Sequence, residues 1–135
     1  MRKRTKSRVL ALQFLYRIDI TKEEFPCVLS EFWREHKAEK EVKDFAIQLI
    51  QGTQANLARI DSVITKYAQN WQLKRMAVID RNILRLGCFE LLFLEDVPPK
   101  VAINEAVELA KRYGDTESSK FVNGILDKIH NAESR

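Results

Sequence analysis

Asp80 and Glu90, set in the otherwise apolar stretch "KRMAVIDRNILRLGCFELLFL", are the first residues in this chain whose type could support chemistry. Paired carboxylates do general acid–base work across roughly 5 to 9.5 Å. Ten residues of one helix hold these two about 15 Å apart, and no His or Cys is spaced to assist either. They read as a structural ion pair or a partner contact. Arg81 and Arg85 sit four apart on the same segment, where like charges repel unless something anionic lies over them. That anion is either an acidic side chain elsewhere in the chain or an acidic partner. Cys27 and Cys88 lie among apolar residues and read as buried reduced thiols. His36 and His130 lack a second ligand at metal-binding spacing, and the chain carries neither a glycine-rich phosphate loop nor a nucleophile elbow. The residues assign no catalytic group, metal or cofactor.

Anion binding is the chemistry with more support. Arg2, Lys3, Arg4, Lys6 and Arg8 crowd the first eight residues, while the whole chain carries a net charge of only +4. Such a cluster is either a solvated tail or an arm that gains affinity by releasing counterions from nucleic acid. A second candidate is "YGDTESSKF", where a helix N-terminus, two serines and Lys120 suit a phosphate and the rings of Tyr113 and Phe121 suit a stacked base. Asp115 and Glu117 oppose an anion there, and Phe121 also fits an apolar helix stripe.

The elements that must position these residues are helices. Four Gly and three Pro in 135 residues leave little punctuation for an all-β fold, and apolar residues recur at helical spacing almost everywhere. Val9, Leu12, Leu15, Tyr16 and Ile18 mark a first helix that begins inside the basic arm, so Arg4 and Arg8 should project from one side as a fixed pair. Phe25 to Trp33 mark a second, and residues 42–67 continue the rhythm with a break expected near Gly52. Residues 74–94 are apolar around most of the circumference, as a central helix is. Pro98 and Pro99 precede the next helix, Gly114 stands where a helix ends, and Asp115 or Thr116 can cap the last. The expectation is an all-α chain of two small helical bundles, residues 1 to about 70 and about 71 to 135. "VLALQFLY" carries Gln13 and runs into "RIDITKEE", which fails as a secretion signal, and no run reaches the roughly 18 apolar residues of a membrane span. A cytoplasmic protein without a membrane role is expected.

Three stretches in this order, "RTKSRVLALQFLY", "DRNILRLGCFELLF" and "PPKVAINEAVELAKRYGDTESSKFVNGILDKI", closely resemble the NusB family of bacterial transcription antitermination factors. Residues 19–66 match it only in helical pattern. The resemblance implies a non-catalytic protein that binds single-stranded boxA RNA of ribosomal RNA transcripts together with the small-subunit ribosomal protein NusE. It also implies work within the RNA polymerase antitermination complex with other Nus factors. Carried over by position, the RNA surface is Arg4, Lys6, Arg8, Tyr16, Tyr113, Glu117, Lys120 and Phe121, and the partner surface Asp80, Arg81 and Arg85. The alternatives are the RNA-targeting domain of ribosomal RNA cytosine methyltransferases, disfavoured by a chain ending at Arg135 with no Rossmann-like half, and a protein-only helical adaptor.

Overall fold

The computed structural model describes residues 1–69 and 71–133, and among these it is all-helical. Seven α-helices follow in order: α1 (Lys3–Thr21), α2 (Phe25–Glu35), α3 (Lys40–Ala55), α4 (Leu57–Tyr67), α5 (Val78–Phe93), α6 (Pro99–Tyr113) and α7 (Ser118–Glu133), with a 3-10 turn at Leu73–Arg75 before α5. The all-α expectation holds.

The apolar circumference of α5 has the consequence expected of it. Ten of its sixteen residues are buried, and α1, α3, α4, α6 and α7 all pack on it. One continuous hydrophobic cluster therefore runs from Ala11 on α1 to Ile129 on α7, and both halves of the chain contribute to it. α2 attaches at the periphery, where Phe14 of α1 receives Phe25 and Phe32 edge-on at 5.5 and 5.4 Å. Only Val28 and Phe32 of α2 are buried, and Cys27, expected inside, lies off that stripe and is exposed. Cys88 is buried, and burial pushes its thiol up to about 12.

Two boundaries differ from expectation. The break in residues 42–67 falls at Asn56, four residues after Gly52, because the Asn56 side chain donates to the Gly52 carbonyl at 2.8 Å and competes with helix continuation. Gly52 is needed for approach: a Cβ there would fall within the Phe89 ring of α5, which rests on bare α3 backbone. The central helix begins at Val78, not at residue 74. Lys74 and Arg75 would oppose the positive end of its dipole, so they remain in the 3-10 turn, and Asp80 supplies the acid in the first turn.

No helix among the described residues is long and apolar enough to cross a membrane.

Gly52→Ala should destabilise the protein by about 1–3 kcal/mol through overpacking against Phe89, despite the better helix propensity of alanine. Denaturant unfolding measures this, and adding Phe89→Leu should recover part of the loss by making room.

Candidate nucleic-acid and partner interface

The basic arm is helix, not tail. Arg2 is the N-cap residue of α1, and the following cations occupy its first turns. Their side chains divide. Arg8, expected as an exposed phosphate contact, is only 3% exposed. Its Nε donates to both Glu90 oxygens at 3.0 and 2.9 Å, one terminal nitrogen to Glu90 at 2.7 Å, and the other to Glu105 at 2.8 Å. The sequence offered Glu90 an ion pair, and this is it. Helical phase explains the correction: Arg8 precedes Ala11, Leu12 and Leu15 by three, four and seven residues and so shares their inward stripe. Burial works against the Arg8 charge, but the two carboxylates overcome it and the net shift is upward. Burial likewise pushes the Glu90 carboxyl up, with Arg8 pulling against it.

Arg4, one turn earlier, is half exposed. Its guanidinium lies 4.2 Å from the Phe45 ring centroid and pairs with Asp96 at 3.0 Å. Arg2 and Lys6 are exposed, as are Tyr16, Tyr113 and Lys120. A groove of about 480 Å³ separates the start of α1 from α6, lined by Met1, Thr5 and Val9 on one side and Glu105, Glu108 and Arg112 on the other. It ends at Arg112, one residue short of Tyr113.

Arg81 and Arg85 have their acids inside the molecule. Asp19 Oδ2 accepts from Arg81 at 2.7 Å, Arg85 at 3.0 Å and Asn82 at 2.9 Å, while Asp61 accepts from Arg85 through both oxygens at 2.8 and 2.9 Å. Of the two sequence readings, the internal acid is the one observed. Burial alone would push the Asp19 carboxyl up; the hydrogen bonds from Arg81 and Asn82 and the charge of Arg85 bring it instead down to about 2. Sequence reasoning missed Asp19 and Asp61, since each is one acid among many on a helix surface and only tertiary packing selects it.

Asp80 is not part of that cluster. It faces the other side of α5 and lines a pocket of about 220 Å³ with Trp71, Met76, Asp115, Glu117, Ser118 and Phe121. The fold thus unites a residue expected at the partner surface with two expected at the RNA surface, and separates it from Arg81 and Arg85. Trp71 was also missed. It is 55% exposed and meets Phe121 edge-on, with ring centroids 5.5 Å apart. Its clue is a tryptophan in the polar run "AQNWQLKR", off every apolar stripe.

The start of α7 is not the phosphate cradle that "YGDTESSKF" allowed. Asp115 Oδ1 accepts from the Glu117 amide at 2.9 Å and the Ser118 hydroxyl at 3.2 Å, and the Ser118 amide donates to the Asp115 carbonyl at 3.2 Å. An acidic cap, as anticipated for Asp115, takes donors that an anion would need. Gly114 closes α6 in extended backbone, φ −93° and ψ −171°, so its role is space rather than left-handedness: a Cβ would meet the Ser118 side chain and lie 2.8 Å from the Ala110 carbonyl. No group of three or more His, Cys, Asp or Glu among the described residues is placed to hold a metal.

A compact helical protein with an exposed cationic helix start, surface aromatics and structurally committed inner charges belongs to the class of small all-α binding proteins. The NusB family model matches residues 5–131, and the chain belongs to the NusB family. It is 48% identical over 128 residues to the transcription antitermination protein NusB of Anaeromyxobacter dehalogenans, covering 94% of this chain and 89% of that protein. The corresponding protein of Chloroherpeton thalassium is 47% identical over 129 residues, which are 95% of this chain and 61% of that longer relative. Among solved structures, T. maritima NusB superposes with a TM-score of 0.90 at 41% identity, covering 98% of this chain and 93% of that one. A crystal structure of antitermination factors NusB and NusE in complex with dsRNA contains a chain at 34% identity and TM-score 0.88, with 98% of each chain covered.

Arg8→Ala should cost about 3–5 kcal/mol of stability, because it leaves Glu90 buried without its cation; Arg8→Ala with Glu90→Leu should recover much of that in denaturant unfolding. Asp19 gives a pH signature. Its folded value of about 2 lies below the roughly 3.9 of a free aspartate, so the unfolded chain binds more protons between them. Its stabilisation is present above about pH 4 and is lost as pH falls through the folded value. The stability difference between wild type and Asp19→Asn should therefore be large at pH 6 and shrink steadily toward pH 2.

Proposed function

We propose that this chain binds the boxA element of ribosomal RNA transcripts as a heterodimer with the ribosomal protein NusE. It then acts within the cytoplasmic RNA polymerase antitermination complex with other Nus factors and catalyses nothing itself. The observation that carries this reading is the likeness along the whole chain to a NusB solved with NusE and RNA.

Arg4 and Lys6, helped by Arg2, supply phosphate contacts from the first turns of α1, where the helix holds them at fixed spacing. Tyr16, Tyr113 and Lys120 are exposed and available to bases and phosphates. Arg8 serves RNA indirectly, as a positioning residue that fixes α1 and hence Arg4. Arg81 and Arg85 serve the partner in the same way, through the Asp19 cluster that holds α1 and α4 on α5.

Binding of a boxA-containing RNA, measured from low to moderate salt, tests the reading. Loss of one phosphate contact on a single strand should reduce the slope of log affinity against log salt by about 0.7. Arg4→Ala and Lys6→Ala should each show this without loss of fold. Unchanged slopes in both variants would return the arm to a solubilising role.

A further inference from the structure

We propose that Asp96 competes with RNA phosphate for the Arg4 guanidinium, as an internal anion that a strand must displace to use the arm. The inference rests on the RNA reading above and deepens it.

The first turns of α1 and the start of α6 share a cavity of about 300 Å³, whose walls include Arg2, Arg4, Asp96, Val101 and Glu105. Its two acids differ in freedom. Glu105 accepts from Arg8 at 2.8 Å and from the Thr5 hydroxyl at 2.6 Å, so it is committed to holding α1. Asp96 is held more loosely. It lies in the turn before α6, its side chain is 61% exposed, and it accepts from a terminal nitrogen of Arg4 at 3.0 Å. An exposed pair of this kind contributes little to stability. Its consequence is electrostatic: the carboxylate cancels the charge of Arg4 where a phosphate oxygen would bond.

Arg4 keeps its aim without Asp96. Its guanidinium lies 4.2 Å from the ring centroid of Phe45, which is buried on α3 and therefore a fixed surface. A guanidinium stacked on a ring still directs its donors outward in its own plane. The nitrogen that serves Asp96 can thus serve a phosphate while the stack stays in place. The surroundings favour the exchange, since Arg2 lines the same cavity and no side chain among the described residues caps α6, which leaves the positive end of its dipole beside the anion. A phosphate also arrives on a strand that makes other contacts, whereas Asp96 acts alone. RNA prevails, at an affinity lowered by the pair it breaks.

The experiment measures binding of a boxA-containing RNA and of a scrambled strand of equal length to the full chain, at low and moderate salt. Asp96→Asn should bind both strands about two- to fivefold more tightly than wild type at low salt, the range set by exposed ion pairs. The gain should shrink at moderate salt, because screening weakens the competing pair. Both strands should gain equally, because phosphate contacts carry no sequence information. In an Arg4→Ala background the gain should vanish. Glu24→Gln makes the same change of charge at the exposed N-cap of α2 and should match wild type. Affinity equal to wild type in Asp96→Asn, with Arg4→Ala still weakened, overturns the inference and leaves the RNA reading standing. Weaker binding in Asp96→Asn also overturns it and makes the carboxylate an aiming device for Arg4. A gain that persists without Arg4 overturns it in favour of repulsion at a distance. If Arg4→Ala binds RNA as wild type does, the arm reading falls and the inference falls with it.

Discussion

The Arg8 guanidinium, held between Glu90 of α5 and Glu105 of α6, fixes where the first helix lies, and the exposed surface depends on that placement. Such a pair is a poor source of net stability, because desolvation of both ions consumes much of their attraction. Its strength is discrimination. Any shift of α1 that breaks the bonds leaves ions buried without partners, so other registers are penalised far more than this one is rewarded. Asp19 closes the other end, meeting Arg81 and Asn82 about three helical turns further along α1. The two ends lock α1 antiparallel to α5, with the apolar stripe of Ala11, Leu12 and Leu15 packed between them.

Surface charge follows from this lock. With Arg8 turned inward, Arg4 stacks on Phe45 and pairs with Asp96, held but still half exposed, and Arg2 and Lys6 face solvent. Helix geometry therefore converts one basic run into a buried clamp and an outer cationic edge. On α5 the same logic acts in reverse. Arg81 and Arg85 are neutralised within the molecule, while Asp80, on a different side of the helix beside Trp71 and Phe121, has one carboxylate oxygen without a hydrogen-bond partner among the described residues. Adjacent residues in sequence thus part: Arg81 closes the fold, while Asp80 lines a separate pocket.

Much of this was legible in the chain. The apolar repeat gives the helices and the central position of α5, Pro98 and Pro99 mark the start of α6, and the like charges at Arg81 and Arg85 announce that acids must cover them. The family was legible too, because long stretches at both ends and the middle carry its pattern. Boundaries were less so: the break at Asn56 depends on a side chain reaching a carbonyl four residues back, and the late start of α5 on cations that a helix N-terminus disfavours.

The direction of each charged side chain was decided only by tertiary structure. Sequence spacing relates residues along one helix, so it put Arg4 and Arg8 on one side and Asp80 next to Arg81. It carries no information on which of nineteen acidic residues arrives from another helix. Asp19, Asp61, Glu90 and Glu105 become partners because α1, α4, α5 and α6 meet where they do, and Trp71 meets Phe121 because the segment before α5 packs against α7. The sequence by itself determined the helices, their apolar faces and the supply of charge. Packing decided which charges are buried against each other and which remain for a ligand, since burial and pairing are properties of contacts between elements that the chain keeps far apart.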